Sequence, residues 1–235
     1  MPDPVERPLA VQAPAPVSVA EPAPTAIPVA EPVQPPEEPA LIPPASENNP
    51  PLKEVLLEAL KSSIKEKYTV DAGDSLGAIA KRNHVTLEML KSVNNLKSDR
   101  IRVGQKLMIP AAHLRITIDK SQNRLRLFNG EALVRTYPVA TGDRGVTEAG
   151  SYKVVTRLIQ PTWYWQGYAV TPDDPDYPLG TRWLGLSRQG YGIHGTNEPE
   201  SIGKQASHGC IRMYNVDVEE LFDVVPIGTP VKIVE

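Results

Sequence analysis

Apolar residues recur at helical spacing through residues 51–66, where Leu52, Val55, Leu56, Ala59, Leu60 and Ile64 share one face and Lys and Glu fill the other. The spacing predicts an amphipathic helix that starts near Asn49 or Pro50 and packs on the domain that follows. Tyr68-Thr69-Val70 then reads as a short strand, and Asp74 or Ser75 can cap a helix running through Ile79 and Ala80 to Arg82. Thr86 can cap a second helix, with Leu87, Leu90 and Val93 on one face and Asn94-Asn95 at its end. Gly104 makes a turn, and Lys106 to Ile109 is a closing strand stopped by Pro110. Strand, two helices and strand make a small α+β unit of βααβ order over residues 68–111.

From residue 112 the period changes to two. Leu114, Ile116 and Ile118 alternate with polar residues, and Leu125 to Phe128, Asn129-Gly130 and Glu131 to Thr136 read as a hairpin. Asn-Gly would supply the two positive φ angles of a type I′ turn. Tyr152 to Thr156 and Tyr191 to His194 look like further strands. Asn215 can cap a helix burying Val218, Leu221, Phe222 and Val225, which Pro226 ends, and Val231 to Val234 is a last strand. Antiparallel strands with one helix predict a mainly-β, sandwich-like domain over 112–235, large enough for its own core.

Composition adds a third region. Of 25 prolines, 16 fall in residues 1–51, which also hold seven acids against one base, Arg7. Such a segment cannot bury enough apolar surface to offset its ordering entropy, so residues 1–50 are expected to be a disordered Pro/Ala-rich tether, with the helix at 51–67 beyond it. Fully stiff, fifty residues at ~3.1 Å each would reach roughly 160 Å. The rest of the chain carries 24 bases against 21 acids, and no concentrated basic face of the kind that binds nucleic acid. No run of apolar residues is long enough to span a membrane, and Met1-Pro2-Asp3-Pro4 lacks the basic start of a secretory signal.

Cys210 is the only cysteine, so it forms no internal disulfide. It stands in Ser207-His208-Gly209-Cys210-Ile211-Arg212-Met213, sixteen positions after His194-Gly195-Thr196. A thiol attacks a carbonyl only as thiolate, and an imidazole within reach can take the proton and return it to a leaving amine. If residues 207–210 are extended, His208 and Cys210 share a face and His194 approaches from a neighbouring strand. The N–H groups of Gly209 and Cys210 could then face a developing oxyanion. Three other readings remain at this point: a buried core cysteine, a zinc site for which H-x-C spacing and a missing fourth ligand are a poor match, or an inactive domain kept for binding.

Two resemblances narrow the choice. Tyr68-x-Val70, Gly73-Asp74-Ser75-Leu76, Ile79-Ala80, Leu90, Asn94, Leu96, Ile101 and Gly104-Gln105-x-Leu107-x-Ile109-Pro110 closely resemble the lysin motif, LysM. The resemblance implies binding of N-acetylglucosamine-containing glycans, chiefly peptidoglycan, beside two loops here near Ala72 to Ser75 and Ser98 to Ile101. Gly73, Asp74, Ser75 and Asp99 are the candidate glycan-binding residues. The second resemblance covers roughly 112–235 and is to the L,D-transpeptidase (YkuD-like) catalytic domain. It rests on Ile193-His194-Gly195-Thr196-Asn197 with Ser207-His208-Gly209-Cys210, and on Val139 to Gly142, Thr147, Gly150 to Val154, Pro178-Leu179-Gly180 and Leu184-Gly185-Leu186. Asp173-Asp174-Pro175-Asp176 has no fixed counterpart in that family.

The resemblance implies a cysteine transpeptidase with no cofactor or metal. Cys210 would be the nucleophile and His194 the base, its ring held by a backbone carbonyl, that of Gly195; His208 would assist and Gly209 would serve the oxyanion. Arg212, Ser207, Trp163 and Tyr191 are candidates for contact with substrate, with Arg212 and Ser207 also read as ordering the loop. The implied substrates are peptidoglycan chains and their tetrapeptide stems, joined by 3→3 cross-links, or wall proteins attached to them. Hydrolysis by the same cysteine, as an L,D-carboxypeptidase or endopeptidase, and a non-catalytic wall-binding protein are the alternatives. The implied location is the bacterial cell envelope, with an export or anchoring segment expected outside this chain.

Overall fold

The structure, a computed structural model, describes residues 42–61, 64–165 and 167–235. The tether expected over 1–50 lies outside the described residues as far as residue 41. Helix α1 (Leu52–Lys61) is followed by β1 (Ile64–Thr69), α2 (Leu76–Arg82), α3 (Leu87–Val93) and β2 (Lys106–Pro110). The helix predicted to reach residue 66 therefore stops earlier. Antiparallel pairing of β1 with β2, with Ile64 opposite Pro110, draws residues 64–67 into a strand. Ser75 caps α2 by accepting from the Ala78 N–H, and Thr86 caps α3 by accepting from the Met89 N–H. Asn94 fastens β2 to the helices, because its side chain both donates to the Met108 carbonyl and accepts from the Met108 N–H.

The remainder carries β3 (Leu114–Asp119), β4 (Arg124–Asn129), β5 (Ala132–Pro138), β6 (Thr141–Gly142), β7 (Gly150–Ile159), β8 (Trp163–Trp165) and β9 (Tyr168–Val170). It continues with β10 (Arg182–Leu186), β11 (Gly192–His194), β12 (Gln205–Ser207), β13 (Ile211–Arg212), α4 (Asn215–Val224) and β14 (Pro230–Val234). Eight strands form one sheet in the order β13-β11-β10-β7-β14-β3-β4-β5, antiparallel except for β11 with β13 and β3 with β14. The sandwich-like domain is this sheet curled on itself. Side chains from both ends, Leu125 and Tyr137 from one and Ile193 and Ile211 from the other, enter a single core with Val218 and Leu221 of α4. Ala140, just past β5, exchanges both backbone hydrogen bonds with Arg212 of β13 and so links the two edges.

The hairpin between β4 and β5 turns one residue later than predicted. Asn129 pairs with Ala132, which leaves Gly130 and Glu131 as the turn, and only Gly130 has a positive φ, 58°. Two positive angles are needed for type I′, so this is not that turn.

Residues 42–50, from the stretch expected to be tether, and helix α1 both pack on the sheet and α4. Leu52, Leu56 and Leu60 are fully buried in the same cluster as the sheet and α4. Asp217, at zero exposure, accepts from the Ala45 and Ser46 N–H groups through its two carboxylate oxygens. Glu220 accepts from the Leu52 N–H and the Tyr137 hydroxyl and pairs with Arg135, which also reaches the Pro50 carbonyl. The βααβ unit is docked on α4 as well: the Thr86 hydroxyl donates to the Asp223 carbonyl, and Met89 of α3 enters the core shared by the sheet and α4. No helix among the described residues is long and apolar enough to cross a membrane.

Candidate active site

Residues 182–212 place the chemistry at one end of the sheet. The register sets Trp183, His194 and Arg212 side by side on β10, β11 and β13. Cys210 immediately precedes β13, and its thiol lies 3.3 Å from the Gly190 carbonyl. Cys210, His194, His208, Ser207 and Arg212 line one cavity of about 560 Å³, walled by Leu158, Trp163, Pro178 and Leu179. Trp163 belongs to the β8–β9 hairpin, and Asp176 of the acidic stretch 173–176 also lines the cavity. Among the described residues, no cluster of three or more His, Cys, Asp or Glu is placed to hold a metal ion.

His194 is buried, and its Nδ1 lies 2.6 Å from the Gly195 carbonyl oxygen. A carbonyl only accepts, so Nδ1 carries the hydrogen and Nε2 keeps its lone pair. Burial holds the imidazole pKa down to about 4, with the Arg212 charge adding to this and the Gly195 carbonyl opposing it. Burial likewise pushes the Cys210 thiol up, against the Gly192 N–H and Arg212. Both shifts favour uncharged partners, so at neutral pH the site rests as thiol and neutral imidazole rather than as an ion pair.

Why the loop around Gly195 holds its shape is answered by Asn215. Its Oδ1 accepts from the Thr196 and Thr181 N–H groups, and its Nδ2 donates to the Thr196 carbonyl. A Cβ at Gly195 would lie 2.0 Å from that oxygen, and one at Gly180, where φ is +60°, 2.1 Å from it. Asn215 thus sits in the first turn of α4 but does not cap it; Tyr214 precedes the helix, and the amide is spent on the loop that positions His194.

Residues 207–210 are not extended. Gly209 takes φ +126°, so the shared-face argument for His208 and Cys210 does not hold. The Gly209 N–H donates to the Ser207 hydroxyl oxygen at 3.2 Å and is therefore not directed at substrate. Ser207 in turn donates to the Cys210 carbonyl, which closes the turn, and the buried Thr147 hydroxyl donates to the Gly209 carbonyl. The Cys210 N–H has no acceptor among the described residues. Arg212 pairs with Glu198 at the rim of the cavity. Tyr191 lies outside the cavity lining: its hydroxyl donates to the Val146 carbonyl and its ring stacks on Tyr152.

This combination of fold, cysteine and histidine has a match. The model for the L,D-transpeptidase catalytic domain, YkuD, fits residues 113–233, and that for the LysM domain fits residues 68–110. The chain belongs to the L,D-transpeptidase family. It is 40% identical over 174 residues to YkuD of Bacillus licheniformis, covering 71% of this chain and 97% of that one. With YkuD of Bacillus subtilis it shares 36% over 175 residues, at the same two coverages. An L,D-transpeptidase from Mycobacterium smegmatis aligns over 57% of this chain and 65% of its own with a TM-score of 0.46 and 17% identity, a likeness too distant to add to these relatives.

In the LysM of this L,D-transpeptidase, the candidate glycan residues have intramolecular partners. Asp74 accepts from the Tyr68 hydroxyl at 2.6 Å and the Asp71 N–H and pairs with Arg82; Ser75 is the α2 cap; Asp99 pairs with Lys91. Gly73 makes the turn before them at φ +89°. An open pocket of the same unit is lined by Ser98 and Arg100 to Gln105, and by none of those four candidates. The Val70 N–H donates to the Gln105 carbonyl and the Gly104 N–H to the Val70 carbonyl, which fixes that loop against β1.

Proposed function

We propose that this chain cross-links peptidoglycan stems through a thioester on Cys210, with the LysM unit holding the glycan and the protein residing at the cell wall. The observation that carries the reading is the opening of Cys210 and His194 on one cavity while the Gly195 carbonyl fixes the imidazole tautomer. His194 Nε2 takes the thiol proton as sulfur bonds to the carbonyl carbon of the third stem residue. The oxyanion so formed faces the Cys210 N–H. When the tetrahedral species collapses, the C–N bond to the terminal D-alanine breaks and the imidazolium gives its proton to the leaving amine. An amine of a second stem then attacks the thioester, loses a proton to His194, and releases the Cys210 sulfur, giving a 3→3 cross-link. Apolar walls at Leu158, Trp163 and Leu179 limit water at the thioester and support transfer to an amine over hydrolysis.

Incubation with disaccharide-tetrapeptide, followed by mass spectrometry of the muropeptides, tests this reading. The expected product is a dimer lacking one alanine, whereas tripeptide alone would show that water is the acceptor. Activity should also persist well below the usual histidine range. The base works unprotonated, so kcat/KM should lose its acid limb only near pH 4. A midpoint near 6.5 would place the working base elsewhere. The same depressed pKa links to stability: above 6.5 the full contribution is present, and between 6.5 and 4 the unfolded chain binds the proton first. Roughly 3 kcal/mol is then lost across that window.

A further inference from the structure

Cross-strand register makes Trp183 and His194 direct neighbours on β10 and β11. Their rings stack, with centroids 5.5 Å apart and planes 21° from parallel. The indole also reaches over the next pair along the sheet, Gly185 and Gly192, which are themselves partners. A Cβ on Gly192 would lie 2.5 Å from the indole Cη2, and one on Gly185 would lie 2.8 Å from its Nε1. Neither glycine has a positive φ, so no turn requires them. The missing side chain at Gly192 gives the indole room to lie flat on the sheet, while at Gly185 a Cβ would meet the Thr156 hydroxyl first, at 2.2 Å.

We propose that Trp183 is a positioning residue for His194, fixing the plane of the imidazole while the Gly195 carbonyl fixes its Nδ1. The inference rests on His194 acting as the base. A single hydrogen bond tolerates some tilting of the ring through its side-chain torsions, and a second ring stacked on one face restricts that tilt. The stack also keeps water from that face, which favours the neutral form. Arg212 of β13 stands beside the imidazole, with Glu198 paired to it, and Cys210, His208 and Asp176 face the same cavity. None of these is changed by substituting Trp183, so a moved titration reports the stack.

The test is the titration of His194 by NMR, with kcat and KM across pH, in the full chain and in Trp183→Leu, Trp183→Phe and Gly192→Ala. In Trp183→Leu the titration is expected to rise by about one pH unit or more. Its kcat at neutral pH should fall on the order of 10²-fold, with KM little changed. Trp183→Phe keeps an aromatic face and should restore most of that loss. Gly192→Ala displaces the indole without removing it and should reproduce the leucine variant, which guards against misfolding of either one. A titration unmoved in both Trp183→Leu and Gly192→Ala, or a loss confined to KM, overturns the proposal. The titration is read without turnover, so an active His194→Gln variant would instead overturn the role of base.

Discussion

Cys210→Ala is expected to remove turnover and covalent labelling by a carbapenem while the thermal melt stays that of the parent chain. The expected loss is on the order of 10⁶-fold, to the limit of detection, because no second thiol exists to replace the nucleophile. The fold is unaffected for a structural reason. The turn carrying Cys210 is held by main-chain atoms and by Ser207 and Thr147, and the sulfur itself contributes only weak contacts to the Gly190 carbonyl and the Gly192 N–H. Turnover surviving in this variant would rule out nucleophilic catalysis at the position.

Removing residues 1–61 abolishes folding of the catalytic domain, whereas removing residues 1–41 leaves the melt unchanged. The longer truncation strips three fully buried leucines, at about 1.5–3 kcal/mol each. It also strips the two N–H donors from the Asp217 carboxylate, charge-assisted bonds worth about 1.5–3 kcal/mol each. Together these match the whole stability of a typical domain, about 5–15 kcal/mol. Thermal melts of residues 1–235, 42–235 and 62–235 decide it. A cooperative transition for residues 62–235 at the parent temperature would show that the N-terminal strap is dispensable.

That strap also shows where the sequence stopped being legible. Periodicity marked Leu52, Leu56 and Leu60 as one face of a helix, and they are its buried face. Periodicity cannot say what such a face packs against, and the answer is α4, where Glu220 accepts from the Leu52 N–H across 168 positions of chain. Ser75 and Thr86 were readable as caps because a cap is a local bond. Asn215 was not: the same residue type at a helix start serves the loop at Thr196, nineteen positions away. Gly180 and Gly195 were the available signal, since each sits where a side chain would meet that amide. In the site itself, residue types marked Cys210, His194 and Ser207. The turn at Gly209 reversed the expected geometry of His208, because a positive φ breaks the alternation on which the shared face depended. Trp183 escaped notice because nothing in a linear pattern reveals a cross-strand stack.

In the proposed reaction the Cys210 sulfur becomes covalently bonded to a wall peptide with His194 as its base. Intact-protein mass spectrometry during turnover of disaccharide-tetrapeptide, with peptide mapping of the adduct, reads this directly. The expected result is a transient mass increase equal to the donor less one alanine, confined to the peptide carrying Cys210 and lost on adding an acceptor amine. Product accumulating with no adduct on that peptide, or with the adduct on another residue, would contradict the account.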